Sequence, residues 1–267
     1  MKTITVSCII ALAALTASHA GETNKTFKTM TPAEKAAYKA AMFRKSGGFG
    51  LFGAEGCVKV ISYQKALPLD NVKSAGEAFS KQMKIVIASE SASGSFSLAD
   101  ADKLQNNSKA NAVVFVVADP TLPMTLVAPE SRWGVVNVTK LSEGDPTRDV
   151  LAKRVHTAVF RAIAGVIGAY GSQYPGTIME GILSAKEMGN HSDYAFIPDS
   201  QMAVVNFLPK IGMKQGQTIT YAKACKLGIA PAPTNDIQKA IWEEVHAPPS
   251  KPIKITYDKD KQKPVVK

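Results

Sequence analysis

The chain has 267 residues, 45% of them hydrophobic and 20% charged, with 19 glycines, 15 prolines and three cysteines. These proportions exclude an intrinsically disordered chain, a collagen-like fibre and a disulfide-dense mini-protein. A formal net charge of +10 favours acidic partner surfaces (nucleic acid, anionic lipid or anionic glycan) without choosing among them.

Residues 1–20 read as a secretory signal peptide. Lys2 gives a positive start, Ile4 to Thr16 is mostly apolar, and Ser18-His19-Ala20 supplies small residues three and one before a cut. No later stretch approaches the ~18 uninterrupted apolar residues of a membrane span. Cleavage before Gly21 removes Lys2 and Cys8, leaving a charge of +9 and two cysteines in a secreted or periplasmic protein. In an oxidising compartment a Cys57–Cys225 disulfide is the default pairing, with two unpaired buried thiols as the alternative. Neither lies in a C-x-x-C pair, so zinc or redox chemistry through them is not expected.

Residues 21–56 are expected to hold a helix and a glycine-rich connector. Thr31-Pro32-Ala33-Glu34 starts a helix that runs to about Lys45. Gly47 to Gly53 contains G-x-G-x-x-G, but it precedes a strand instead of following one, so a dinucleotide cradle is not indicated. From Cys57 the pattern alternates: strand Cys57–Tyr63, helix Asp70–Met83, strand Lys84–Ser89, helix Leu98–Asn106 and a continuous apolar strand, Ala112–Ala118. Met124–Val127 and Gly134–Lys140 add two extended segments, predicting an α/β layer with a mixed sheet. Asp145-Pro146-Thr147 then starts the longest helix, roughly Arg148 to Tyr170. Past Gly171 the chain is expected to be irregular, with short helical pieces near Glu180–Met188 and Thr220–Lys226. Residues 231–267 hold a stiff spacer, a last helix, Asp236–Val245, and a basic tail expected to lie extended or disordered.

On the long helix, Leu151, Val155, Val159, Ala162, Val166 and Tyr170 form one apolar stripe. Arg154, Ala158, Arg161, Gly165 and Gly168 lie roughly opposite. A face so stripped of side chains indicates either a groove or tight helix packing.

The order of elements resembles the archaemetzincins. In that family a strand like Trp133–Leu141 precedes a long helix carrying H-E-x-x-H-x-x-G-x-x-H-C, followed by C-x-M and a later C-x-x-C. The matching stretch here runs from Arg161-Ala162-Ile163-Ala164-Gly165 through Gly168 and Gly171-Ser172 to Thr177-Ile178-Met179. The resemblance implies a zincin-like mixed sheet over residues 57–230 with a long central helix. It places the family's glycine on Gly168 and its turn methionine on Met179. The three histidine positions hold Arg161, Gly165 and Gly171, the general-base position holds Ala162, and the cysteine positions hold Ser172, Thr177, Ile197 and Ser200. Glycine and alanine offer zinc no donor, and arginine is not deprotonated in proteins, so neither metal nor other cofactor is expected. The resemblance implies instead that Arg161 fills the metal position, with Arg154 two turns earlier on the same face. It would close the site or turn it into a carboxylate or sulfate clamp.

Other chemistry is weaker. His156, His191 and His246 form no metal-ligand spacing, and His156 sits at the edge of the helix's apolar stripe. A carboxylate dyad drawn from Asp119, Asp193 and Asp199 is the candidate for a non-metal peptidase, although each suits a cap or turn. The sequons at Asn24, Asn106, Asn137 and Asn190 are read as chance. The lysines lack the aromatic interleaving of a nucleic-acid surface. The expectation is therefore a secreted pseudo-peptidase that binds peptide or anionic glycan or glycoprotein through Arg154, Arg161, Gly165, Gly168 and Met179. A carboxylate-dependent secreted peptidase and an envelope structural protein are the rivals.

Overall fold

The computed structural model describes residues 30–63, 69–181, 184–191, 194–247, 255–258 and 263–266. The expected signal peptide, Asp193 and the sequon at Asn24 lie outside them. The chain divides into two compact units. Of the described residues, the larger takes those within 50–219 and 224–231 and the smaller takes the others.

The larger unit is an α/β layer built on a five-stranded mixed sheet. Its strands are β2 (Cys57–Ser62), β3 (Val86–Ser91), β4 (Ala112–Val117), β5 (Thr125–Ala128) and β6 (Trp133–Asn137), arranged β3-β2-β4-β6-β5. β2 pairs parallel with β3 and β4, and β4 parallel with β6, while β5 closes one edge antiparallel to β6. Central β4, Ala-Val-Val-Phe-Val-Val, is buried along its whole length and feeds two cores by alternation. Ala112, Val114 and Val116 enter the larger core, and Val113, Phe115 and Val117 the smaller.

Two helices cover the larger core: α2 (Leu69–Met83) and α5 (Arg148–Val166). Val72, Ala75, Phe79 and Met83 recur every three or four residues and are all buried. Phe79 meets Phe160 of α5 with ring centroids 4.8 Å apart. The opposite face carries α3 (Ala101–Asn107), whose Asp102 Oδ1 accepts from the indole of Trp133 at 2.6 Å. Between β6 and α5 lies a short helix, α4 (Val138–Leu141), where the sequence pattern continues the strand.

Thr147 accepts from Val150 N–H, as its N-cap position requires. The helix stops at Val166, four residues before the expected end. Gly168, at φ +92°, sits past the cap, and the amides of Gly168 and Ala169 return to the carbonyls of Gly165 and Ala164. That pair of bonds is the Schellman termination, which strongly favours glycine at this position.

After α5 come α6 (Ala185–Asn190), α7 (Pro198–Phe207), a 3₁₀ turn (Leu208–Ile211), β7 (Gln217–Thr220) and α8 (Tyr221–Lys226). α7 and β7 replace a region expected to be irregular. The glycine-rich stretch is likewise more than a connector. Phe49–Phe52 forms β1, which pairs with β7 because the β-branched run Thr218-Ile219-Thr220 supplies its ladder partner. Cys57 and Cys225 are free thiols, which corrects the expected disulfide. Cys57 packs against the smaller core from the start of β2, whereas Cys225 is buried on α8.

In the smaller unit α1 (Pro32–Lys45) opens with the expected capping box between Thr31 and Glu34. α9 (Asp236–His246) is capped by Asn235, and its Gln238 Nε2 donates to Gly47 O at 3.2 Å. Within the basic tail the two described segments are extended strands, β8 (Ile255–Asp258) antiparallel to β9 (Lys263–Val266).

Candidate functional site

The site lies where the last turns of α5 pass under edge strand β5. A cleft of about 270 Å³ opens there. Thr125 and Val127 of β5 form one wall, Arg161, Ala162 and Gly165 of α5 the floor, and Met179 the far side. The helix comes this close because Gly165 has no side chain: a β-carbon there would stand 2.9 Å from Val127 Cγ1. Groove and tight packing, posed as alternatives from the sequence, thus coincide at Gly165.

Met179 is buried in a turn spanning residues 172–181. Ser172 N–H donates to Met179 O at 2.6 Å, Gly181 N–H to Ser172 O at 3.1 Å, and Ser172 Oγ accepts from Tyr174 N–H. Arg161 fastens this turn to the helix. Its Nη1 donates to Ile178 O at 2.5 Å and its Nη2 to Gly181 O at 2.6 Å, bracketing Met179. Burial lowers the pKa of the guanidinium from its ordinary value, and the Glu180 charge opposes that shift.

The other candidates are not brought to the cleft. Arg154 is buried and donates through Nη1 to Leu141 O at 2.7 Å and Glu143 O at 2.9 Å, securing the carbonyls that end α4. It is a brace within the fold, which corrects its expected place in the groove. Gly168 faces the Phe207 ring, where a β-carbon would stand 2.6 Å from Cγ, and it serves the helix end instead of the cleft. Gly171 is exposed beside the turn, where an added β-carbon would lie 3.8 Å from Met179 O.

Of the candidate carboxylates among the described residues, Asp119 and Asp199 are each held in a local structure of their own. Asp119 folds back on Thr121, accepting from its N–H at 2.8 Å and its hydroxyl at 2.6 Å, bonds that lower its pKa. Asp199 is exposed in the first turn of α7.

Two features escape a reading of the sequence. Asn137, buried at the end of β6, donates to Asp119 O at 2.5 Å and Leu122 O at 2.8 Å. Its Oδ1 accepts from Asp119 N–H and Thr139 N–H, each at 3.2 Å, so its sequon is occupied by folding. A second, more open cleft of about 300 Å³ lies between α2 and α5, lined by Ser74, Lys153, His156 and Tyr194. There His156 Nδ1 and Ser74 Oγ are 3.0 Å apart, and burial lowers the His156 pKa.

The residues present do not fit a zinc ion. Among the described residues no three His, Cys, Asp or Glu side chains converge on one point. At the matching positions stand a guanidinium already engaged with carbonyl oxygens and two glycines.

No protein-family model and no curated protein sequence matches the chain. Among solved structures it is similar to archaemetzincin from Methanopyrus kandleri at 15% identity and a TM-score of 0.46, covering 58% of this chain and 96% of that one. It is also similar to a zinc-dependent peptidase from Methanocorpusculum labreanum at 14% identity and a TM-score of 0.42, covering 55% and 99%. The chemistry of the cleft follows from this chain's own residues.

Proposed function

We propose that this chain is a secreted or periplasmic pseudo-peptidase: a binding protein of archaemetzincin-like architecture that holds an extended peptide without cleaving it. The observation that carries the reading is the placement of Arg161. Arg161 lines the cleft and its guanidinium holds the Met179 turn, at the sequence position matched to the family's first zinc ligand. A fixed cation bonded to carbonyls neither binds zinc nor activates water, and Ala162 supplies no base.

Peptide is the favoured occupant because β5 is the last strand of its sheet and its Thr125 and Val127 face the cleft. An edge strand offers unpaired backbone groups to an incoming extended chain, which adds as a further strand. The carboxylate-dependent peptidase draws no support from Asp119 or Asp199, which lie in a turn and a helix start.

Metal analysis and peptide binding on purified protein test this reading together. Substoichiometric zinc, binding of randomised octapeptides indifferent to chelator, and intact peptides after incubation are expected. Stoichiometric zinc with chelator-sensitive hydrolysis would overturn the reading.

A further inference from the structure

We infer that the occupant of this cleft presents a carboxylate to Arg161. The inference rests on the peptide-binding reading and names the group that the peptide must carry.

Arginine has five N–H donors in a planar fork. The carbonyls of Ile178 and Gly181 take one from Nη1 and one from Nη2. Among the described residues, no carboxylate lies in ion-pair contact with Arg161. Glu180 is the nearby acid whose charge it feels, but that carboxylate is turned into its own loop, where Oε2 accepts Gly176 N–H at 2.8 Å. The remaining lining, with Val127, Ala162, Gly165 and Met179, is apolar apart from Thr125 and supplies no acid.

The cleft therefore holds a positive charge drawn partly out of water, fixed in direction by two carbonyl bonds and with donors to spare. Fixing the fork in advance reduces the ordering cost of binding. A carboxylate matches it, because two parallel N–H···O bonds to a planar anion are the strongest pairing a guanidinium makes. The partial burial of Arg161 strengthens that pairing. A carboxylate reaches the cleft from either an Asp or Glu side chain or a free C-terminus.

Three randomised octapeptide libraries separate these cases on the full chain: one amidated with Asp and Glu admitted, one neutral with a free C-terminus, and one neutral and amidated. Retention of either carboxylate-bearing library about tenfold above the neutral amide is expected, and which one is retained identifies the source. Arg161→Lys keeps the charge, loses the fork and should erase the preference. Since Arg161 also holds the Met179 turn, Thr125→Glu provides a second test that leaves its carbonyl bonds in place. An internal carboxylate there should compete with the ligand's and lower retention below that of the equally bulky Thr125→Gln. Equal retention of all three libraries would overturn the carboxylate inference and leave the peptide reading standing. Retention of none would overturn both.

Discussion

Gly165 and Val127 touch across the cleft so closely that the helix and the edge strand share one contact where two side chains would ordinarily stand: a β-carbon on Gly165 would lie 2.9 Å from Val127 Cγ1 and 3.3 Å from Cγ2. The glycine is costly to the helix and necessary to the packing. Gly165→Ala should gain about 1 kcal/mol of helix propensity and lose about 1–3 kcal/mol to overpacking, for a net loss. In a Val127→Ala background the same change should become stabilising. Urea unfolding of the four proteins in this cycle measures the reversal, and additive effects would refute the contact.

Asn137 anchors the segment that leads from β4 to β5, and so positions the wall of the cleft. Its amide makes four bonds within a fully buried site. Asn137→Ala should destabilise the protein by about 3 kcal/mol, since it strands several buried backbone groups at once. Asp119→Ala, which removes only an exposed turn, should have a much smaller effect on the same unfolding curve.

Arg154 and Arg161 lie two turns apart on one helix yet should respond differently to substitution. Arg154→Ala removes a buried brace and should cost about 3 kcal/mol of stability. Protein that still folds should bind octapeptide as the wild type does. A loss of peptide affinity without a loss of stability would return Arg154 to the cleft.

His156 gives the fold an acid-sensitive element. Burial holds its pKa below the ordinary value of 6.5, so the native state resists protonation while the unfolded chain accepts it. The unfolded state then binds more protons, and stability rises with pH across that interval. The contribution is complete above about pH 6.5 and is lost as pH falls toward the folded-state pKa. His156→Gln should flatten the dependence of the urea midpoint on pH below about 6.5. An unchanged slope would assign it elsewhere.

The sheet is largely legible in the sequence because its signals are local. The apolar-rich strand 57–61, interrupted only by Lys59, the continuous apolar run 112–117, the helix starts at Thr31 and Asp145-Pro146-Thr147 and the period-3.6 stripe on α5 declare themselves within a few residues. What the pattern misses depends on distant partners. Arg161 reaches carbonyls 17 and 20 residues ahead, and Asn137 reaches carbonyls 15 and 18 residues behind. Arg154 and Arg161 look equivalent on a helical projection, but α4 sets carbonyls beside one and the Met179 turn sets them beside the other. β1 is hidden for a similar reason: its partner strand lies more than 160 residues away.

Arg161 also changes the terms on which the Met179 turn is held. A bound metal ion is an exchanging ligand, so a turn shaped by it inherits the ion's supply, its competitors and its off-rate. A guanidinium tethered by its own side chain has no dissociation constant and answers to no chelator. The Ile178 and Gly181 carbonyls thus meet the same cation in every molecule, from synthesis onward and in any metal environment.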